Sequence, residues 1–479
     1  MKLLVVDVGT SGVRAAVVTP EGGVIVSHHQ EVLPSSPAPG MVEFDAVEMA
    51  EAVLAVATKA SAEAGQIDAV GIANQRASTI VWDRGTGVPV GPGLGWQDLR
   101  TVFDCIMLAE QGFRLAPNLV ATKAANLLKG ADPDGTRDLC VGTVDSWVAW
   151  TLSQGAVHVT DTSNGALYGL RTGDQSDWDD AALAALGIPR QSLPEVVDSV
   201  GIVGRATALP GSPPIAGILG DQQASLLGQG CVRTGQAKIT FGTGGMLDLC
   251  LEDRPAYATQ GTGGTFPIVT RSADGVRRWG LEAVMLAAGT NVEWLRDDLQ
   301  IIADAADSHA VASQCETSDG VAYVPALLGL GAPTWDYGAR GTLLGLTRGS
   351  GRPQIVRAVL EGVAQRAADL VEAAETDGGI PIPVLRVDGG MTANPTFLQA
   401  LADATQRRIE VSPEREATTL GAAYAAGLAI GAWPDDDAIA ASWQPSQVLE
   451  PIGSFDRERW ADTLKRAQRW FPDLSAISF

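Results

Sequence analysis

Asp221 stands at a break in the chain: the apolar pair Ile218-Leu219 and Gly220 precede it, and the amides Gln222 and Gln223 follow. A carboxylate at a strand end, with glycine allowing close backbone approach, can take a proton from a hydroxyl. The same aspartate before Ala-Ser-Leu-Leu can also cap a helix, and taken alone that is the commoner use. Asp7 sits in a comparable place, after the apolar residues 3–6 and before Gly9-Thr10-Ser11-Gly12. Backbone N–H groups and two hydroxyls at such a tip suit a phosphate, and Asp7 is placed to hold a divalent cation. A second tip, Gly242-Thr243-Gly244-Gly245, and a third glycine site, Asp388-Gly389-Gly390, lie in the second half. The double glycine lets backbone lie against a flat ligand, while Asn394 suits the cap of a helix that Pro395 begins. The first tip lacks the Gly-Lys-Ser/Thr ending of a Walker A loop.

Strands must position these residues. Residues 3–6, 15–18 and 24–26 read as a meander around the first tip, 237–241 and 246–250 as a hairpin around the second, and 384–387 as the strand before the third. One strand, Gly-Thr turn, strand unit in each half is the pattern of a duplicated nucleotide-binding fold whose hairpins grip phosphates from opposite sides of a cleft. Val356, Val359, Val363, Ala367 and Leu370 are spaced for a one-sided helix over 353–375. Residues 419–430 form a small-residue helical run suited to packing in the nucleotide-side domain, and 455–470 an amphipathic closing helix.

A chain of 479 residues exceeds one simple core and predicts two domains. The formal net charge of −22 argues against nonspecific nucleic-acid binding, so any phosphate must be held locally by backbone amides, a few arginines and a cation. Cys105, Cys140, Cys231, Cys250 and Cys315 are scattered, with no Cys-x-x-Cys pair, and read as reduced thiols rather than a disulfide frame or zinc site. Asp7 and Gly9 interrupt the first apolar run before a signal-peptide core forms, and no run approaches a membrane span, so cytoplasmic placement is expected.

Taken together, Asp7-Val-Gly-Thr-Ser-Gly-Val-Arg14, Asn74-Gln75-Arg76, Trp96-Gln97-Asp98-Leu99-Arg100-Thr101, Gly142-Thr143-Val144-Asp145, Gly220-Asp-Gln-Gln223, Phe241-Gly-Thr-Gly244 and Asp388-Gly-Gly390 resemble the FGGY carbohydrate kinases, nearest the glycerol kinase branch, across nearly the whole chain. The resemblance implies an α/β fold of two actin-like (ribonuclease H-like) domains about a catalytic cleft. Residues 1–229 would bind the sugar or polyol and 230–479 would bind ATP. It implies Asp221 as the base, and Asp7 with Asp221 as the carboxylates beside Mg²⁺. Thr10, Ser11 and Arg14 would meet the γ-phosphate side, Gly242 and Thr243 the β-phosphate side, and Gly390 and Asn394 the adenosine. No nucleic-acid or membrane partner is expected, and a homodimer is left open.

The acceptor pocket departs from the glycerol pattern. Arg76, Trp96, Asp221 and Gln222 are kept, but Ala77 replaces a glutamate, Asn118 a tyrosine and Met246 a phenylalanine of that pattern. A hydroxyl acceptor is lost and room is gained, which favours a tetritol or pentitol over glycerol. Glycerol or a pentulose of the xylulose or ribulose type is the alternative acceptor, and a silent nucleotide- and sugar-binding sensor is the alternative outside enzymes.

Overall fold

The computed structural model describes residues 1–21, 23–413 and 416–476. Strands β1 (Leu3–Val8), β2 (Gly12–Thr19) and β3 (Gly23–Glu31) form the expected meander and lead into α1 (Ala46–Ala64) and β4 (Ala69–Asn74). A helix that carries residues used below, α2 (Val120–Ala131), precedes β5 (Val200–Arg205), β6 (Pro214–Gly220) and α3 (Asp221–Gly228). The second half runs β7 (Ala237–Phe241), β8 (Gly245–Leu251), β9 (Phe266–Ala273), β10 (Val276–Met285), α4 (Arg352–Gly378), β11 (Val384–Asp388), α5 (Pro395–Thr405), β12 (Arg408–Val411), α6 (Ala417–Ile430) and β13 (Gln447–Leu449). The closing helix falls at Arg457–Ala467.

All thirteen of these strands join one sheet, in the order β13-β12-β11-β7-β8-β10-β9-β5-β6-β4-β1-β2-β3. Each half repeats one plan. In the first, β3, β2 and β1 are antiparallel neighbours, and β1, β4 and β6 run parallel. In the second, β10, β8 and β7 are antiparallel, and β7, β11 and β12 parallel. The duplication inferred from the two Gly-Thr turns is therefore present as topology. Central strands buried on both faces need continuous apolar runs, and β1 (Leu-Leu-Val-Val-Asp-Val) and β4 supply them. The halves meet where β5 pairs with β9 through a single residue pair, Val200 with Ala273. Hydroxyls surround that seam: Ser199 N donates to Ser272 Oγ at 3.2 Å, Ser272 N to Ser199 Oγ at 3.1 Å, and Ser199 Oγ to Asp161 Oδ2 at 2.6 Å.

Helix α6 departs from expectation. It does not stay with the strands of its own half: Leu420 and residues 422–426 share a buried cluster with Leu3, Val5, Ala216, Leu219, Ala224 and Leu227 of the first half. There it crosses α3 at backbone contact. A Cβ on Gly421 would lie 1.7 Å from Ala224 O, and one on Gly228 would lie 1.9 Å from Ala417 O. A helix buried on nearly every side carries no face in its sequence to say which sheet it covers. All five cysteines are free, as expected. Among the described residues no helix is long and apolar enough to cross a membrane.

Candidate active site

Register sets the site. Val8, Asn74 and Gly220 are aligned at the carboxyl ends of the parallel strands β1, β4 and β6, the edge at which open α/β sheets bind ligands. Asp221 follows directly as the first residue of α3. Gly220, not Asp221, occupies the cap position, so the capping use of Asp221 falls away. The Asp221 carboxylate accepts from Gln222 N at 2.7 Å and faces Arg76 Nε at 3.4 Å. Burial raises its pKa, and Arg76 opposes the shift.

Asp7 pairs in register with Arg14 across β1 and β2. Burial pushes its carboxyl up to about 7 against the pull of Arg14, and Asp221 adds to the rise. Arg14 itself pairs with Glu416. The tip between β1 and β2 closes with Gly9 N donating to Gly12 O at 2.9 Å, leaving Ser11 exposed and Thr10 half-buried. Trp96 meets this tip directly: its Nε1 donates to Thr10 Oγ1 at 3.2 Å. The wall residue and the tip are further joined through Trp96 N to Ser78 Oγ at 3.0 Å, Ser78 Oγ to Gln75 Oε1 at 3.0 Å, and Gln75 Nε2 to Gly9 O at 3.2 Å.

The second tip lies at the carboxyl end of β7, with Gly242 and Thr243 exposed. Its carbonyls are pinned from behind, Gly242 O by Gly289 N at 2.9 Å and Thr243 O by Ala288 N at 2.8 Å, which leaves the opposite face of the turn free. At the third glycine site the two glycines differ. Gly389 has φ +93° and a Cβ there would lie 2.3 Å from Phe241 O, whereas Gly390 faces open space. Only the first is demanded by the fold. Asn394 caps α5 as expected, accepting from Phe397 N at 3.0 Å, and its amide donates to Ser308 Oγ at 2.9 Å.

Several charged partners were not singled out by the sequence. Arg76 Nη2 donates to Glu282 Oε2 at 2.6 Å, linking the β4 end to β10 of the other half. Gln222 Oε1 accepts from Lys238 Nζ at 2.7 Å, and Lys238 pairs at 2.8 Å with Asp248, both fully buried. Ser225 Oγ donates to Asp388 Oδ2 at 2.9 Å. Helix α3, which carries Asp221, is thus tied to β7 and β11 of the opposite half. The available signal was a charged residue inside an apolar strand, Lys238 in Ala-Lys-Ile-Thr-Phe and Glu282 in Gly-Leu-Glu-Ala-Val. Such residues are buried only with partners.

The three altered pocket positions are less alike than the sequence suggests. Ala77 is buried with φ +60°, in an apolar cluster with Val81, Leu115 and Tyr168. Asn118 is exposed, while Met246 is half-buried on β8 opposite Thr240 and Val284.

The buried acids give the fold a pH signature. Asp7, Asp145 and Glu282 are each pushed up to about 7, by burial first. From their ordinary values up to pH 7 the folded chain holds protons that the unfolded chain releases, so stability rises as pH falls through that window. His158, pushed down to about 4 by burial, works in the opposite sense below 6.5, and Lys123, pushed down to about 7 by burial, does so above 7; two groups, each acting over part of the range, do not offset three. The ligand-free protein is expected to melt at a higher temperature at about pH 5.5 than at about pH 8. A melting temperature that stayed level or rose from about pH 5.5 to about pH 8 would contradict the protonation assigned here.

Matches to known proteins agree with this fold. Residues 2–228 match the N-terminal domain and residues 237–430 the C-terminal domain of the FGGY family of carbohydrate kinases. A protein named glycerol kinase 2 from Thermotoga maritima is 40% identical over 98% of this chain and 99% of its own length. A glycerol kinase from Trichlorobacter lovleyi is 41% identical over the same shares. The crystal structure of Plasmodium falciparum glycerol kinase with ADP superposes with a TM-score of 0.88 at 27% identity, covering 100% of this chain and 99% of that one.

Proposed function

Because the chain belongs to the FGGY family of carbohydrate kinases, we propose that it transfers the γ-phosphate of ATP to a terminal hydroxyl of glycerol, with Asp221 as the base. Family membership makes it an enzyme and sets aside the silent sensor. The observation that carries the assignment of Asp221 is its position. It stands on the aligned strand ends, beside Arg76, on a helix tied to both halves.

The acceptor oxygen attacks the γ-phosphorus as its proton passes to an Asp221 oxygen; the new O–P bond forms, the bond from the γ-phosphorus to the β,γ-bridging oxygen breaks, and ADP leaves. Arg76 holds the Asp221 carboxylate and reaches the acceptor hydroxyls, with Gln222 beside it. Thr10, Ser11 and Arg14 approach the γ-phosphate, Gly242 and Thr243 the β-phosphate, and the open ground at Gly390 with Asn394 takes the adenosine. Mg²⁺ fits the residues present. Among the described residues no group of three or more ligating side chains gathers anywhere, but Asp7 and Asp221 are half-buried carboxylates that repel each other. That suits a cation which draws most of its ligands from phosphates and water. Bound there, the cation would neutralise charge on the phosphate oxygens. We place the domain boundary at 229/230, where α3 ends, with α6 returning to the first domain.

Support for glycerol comes from relatives of that name at about two-fifths identity over nearly full length. Ala77 and the exposed Asn118 support a second reading, the tetritol or pentitol expected from the pocket residues alone, with pentuloses behind it. An unpaired buried hydroxyl costs about 1–3 kcal/mol, roughly 5- to 150-fold in kcat/KM, so a panel separates the two readings cleanly. In a coupled ADP-release assay over C3 to C5 polyols and ketoses, glycerol is expected to give the highest kcat/KM. A tetritol, pentitol or pentulose outranking it would replace glycerol as the acceptor.

A further inference from the structure

Lys123 lies fully buried in α2, and the phosphoryl chemistry above makes no use of it. Its Nζ donates to Gly95 O and to Asn118 O, each at 3.2 Å. Gly95 immediately precedes Trp96, and Asn118 lies in the turn that leads into α2. The Gly95 loop is already braced, since Gly95 N donates to Val42 O at 2.9 Å and Gly95 O also accepts from Asp98 N at 3.1 Å. The Asn118 turn has a hydrogen bond of its own, Leu119 N to Ala116 O at 3.0 Å, but that bond stays within the turn. The ammonium joins one segment to the other. Burying an ammonium against two neutral carbonyls is costly, and an apolar side chain would fill the same space more cheaply, so packing alone does not account for it.

We propose that Lys123 is a positioning residue of the acceptor pocket, clamping Gly95 O and Asn118 O to one ammonium and so fixing how far the Trp96 wall stands from Asn118. The inference rests on reading Trp96 and Asn118 as acceptor-pocket residues. Burial pushes the Lys123 amine down to about 7, opposed by Asp98 on the Gly95 loop and by Cys105 on the helix Val102–Glu110. The charged form offers three strong donors. The neutral amine offers two weaker ones and a lone pair that repels a carbonyl, so the clamp loosens as pH rises through neutrality.

The test compares the full-length wild type, Lys123→Met and Trp96→Ala with glycerol and ATP. In Lys123→Met the acceptor KM is expected to rise about tenfold or more, with kcat down less than about threefold and the KM for ATP unchanged. The wild-type acceptor KM should climb between about pH 6 and 8.5, and that climb should be absent from Lys123→Met. A Lys123→Met protein with wild-type melting temperature and wild-type acceptor KM overturns the clamp. Should Lys123→Met fail to fold, a flat wild-type acceptor KM across that pH range overturns it equally. An unchanged acceptor KM in Trp96→Ala overturns the pocket reading and the clamp with it. A raised KM in Trp96→Ala beside an unchanged one in Lys123→Met removes the clamp alone.

Discussion

Asp221→Asn is expected to lower kcat by about 10²- to 10⁴-fold, the usual worth of a positioned general base, while leaving the KM for ATP within about threefold. The substitution is nearly isosteric. An amide oxygen still accepts from Gln222 N, and Arg76 keeps its bond to Glu282, so the geometry survives while the proton acceptor is lost. Removing Arg76 instead would take the guanidinium from both Asp221 and the buried Glu282 and confound chemistry with folding. Steady-state kinetics with saturating glycerol and ATP, beside a nucleotide-binding titration, make the measurement. Turnover within about tenfold of wild type would take Asp221 out of the mechanism.

The second large effect falls on stability. Gly421→Ala puts a methyl group 1.7 Å from Ala224 O, a main-chain atom of α3 that no side-chain rotation can move aside. Alanine normally stabilises a helix by about 1 kcal/mol relative to glycine, so a net loss here isolates the crossing itself. Overpacking costs about 1–3 kcal/mol or more, which in a domain of this size lowers the melting temperature by roughly 2–10 °C. Because Ala224 lies three residues beyond Asp221, kcat should fall together with the melting temperature. Gly390→Ala is the control, since the added methyl meets open space, and it should melt as wild type does. A Gly421→Ala protein with wild-type stability and turnover would show that the helices part without consequence.

Much of this site could be read from the chain because its chemistry is local. The two Gly-Thr turns, the Gly220-Asp221 break and the Asn394-Pro395 helix start each announce themselves within a few residues, where backbone conformation and residue type are directly coupled. The partners could not be read that way. Arg76 and Glu282 are 206 residues apart, and Lys238 reaches Gln222 only because β7 and α3 are brought together by the duplicated sheet. The docking of α6 on the first half was hidden for a related reason: small apolar residues on every side mark a buried helix but name no partner. At Ala77 the sequence shows what is missing, while the positive φ and the apolar cluster around the residue become visible only in three dimensions.

The seam between β5 and β9 bears on how stiff the molecule is. A broad sheet resists bending because each rung of its ladder must shear together with its neighbours, yet at this one line there is a single rung, Val200 with Ala273. Across it the halves are held by Ser199 and Ser272, whose hydroxyls take the place of ladder carbonyls as acceptors. A hydroxyl rotates about its own bond and stays satisfied through a change of angle that a fixed carbonyl would not tolerate. If the thirteen-stranded sheet bends, this seam is where the bend meets least resistance, close to the helix that carries Asp221.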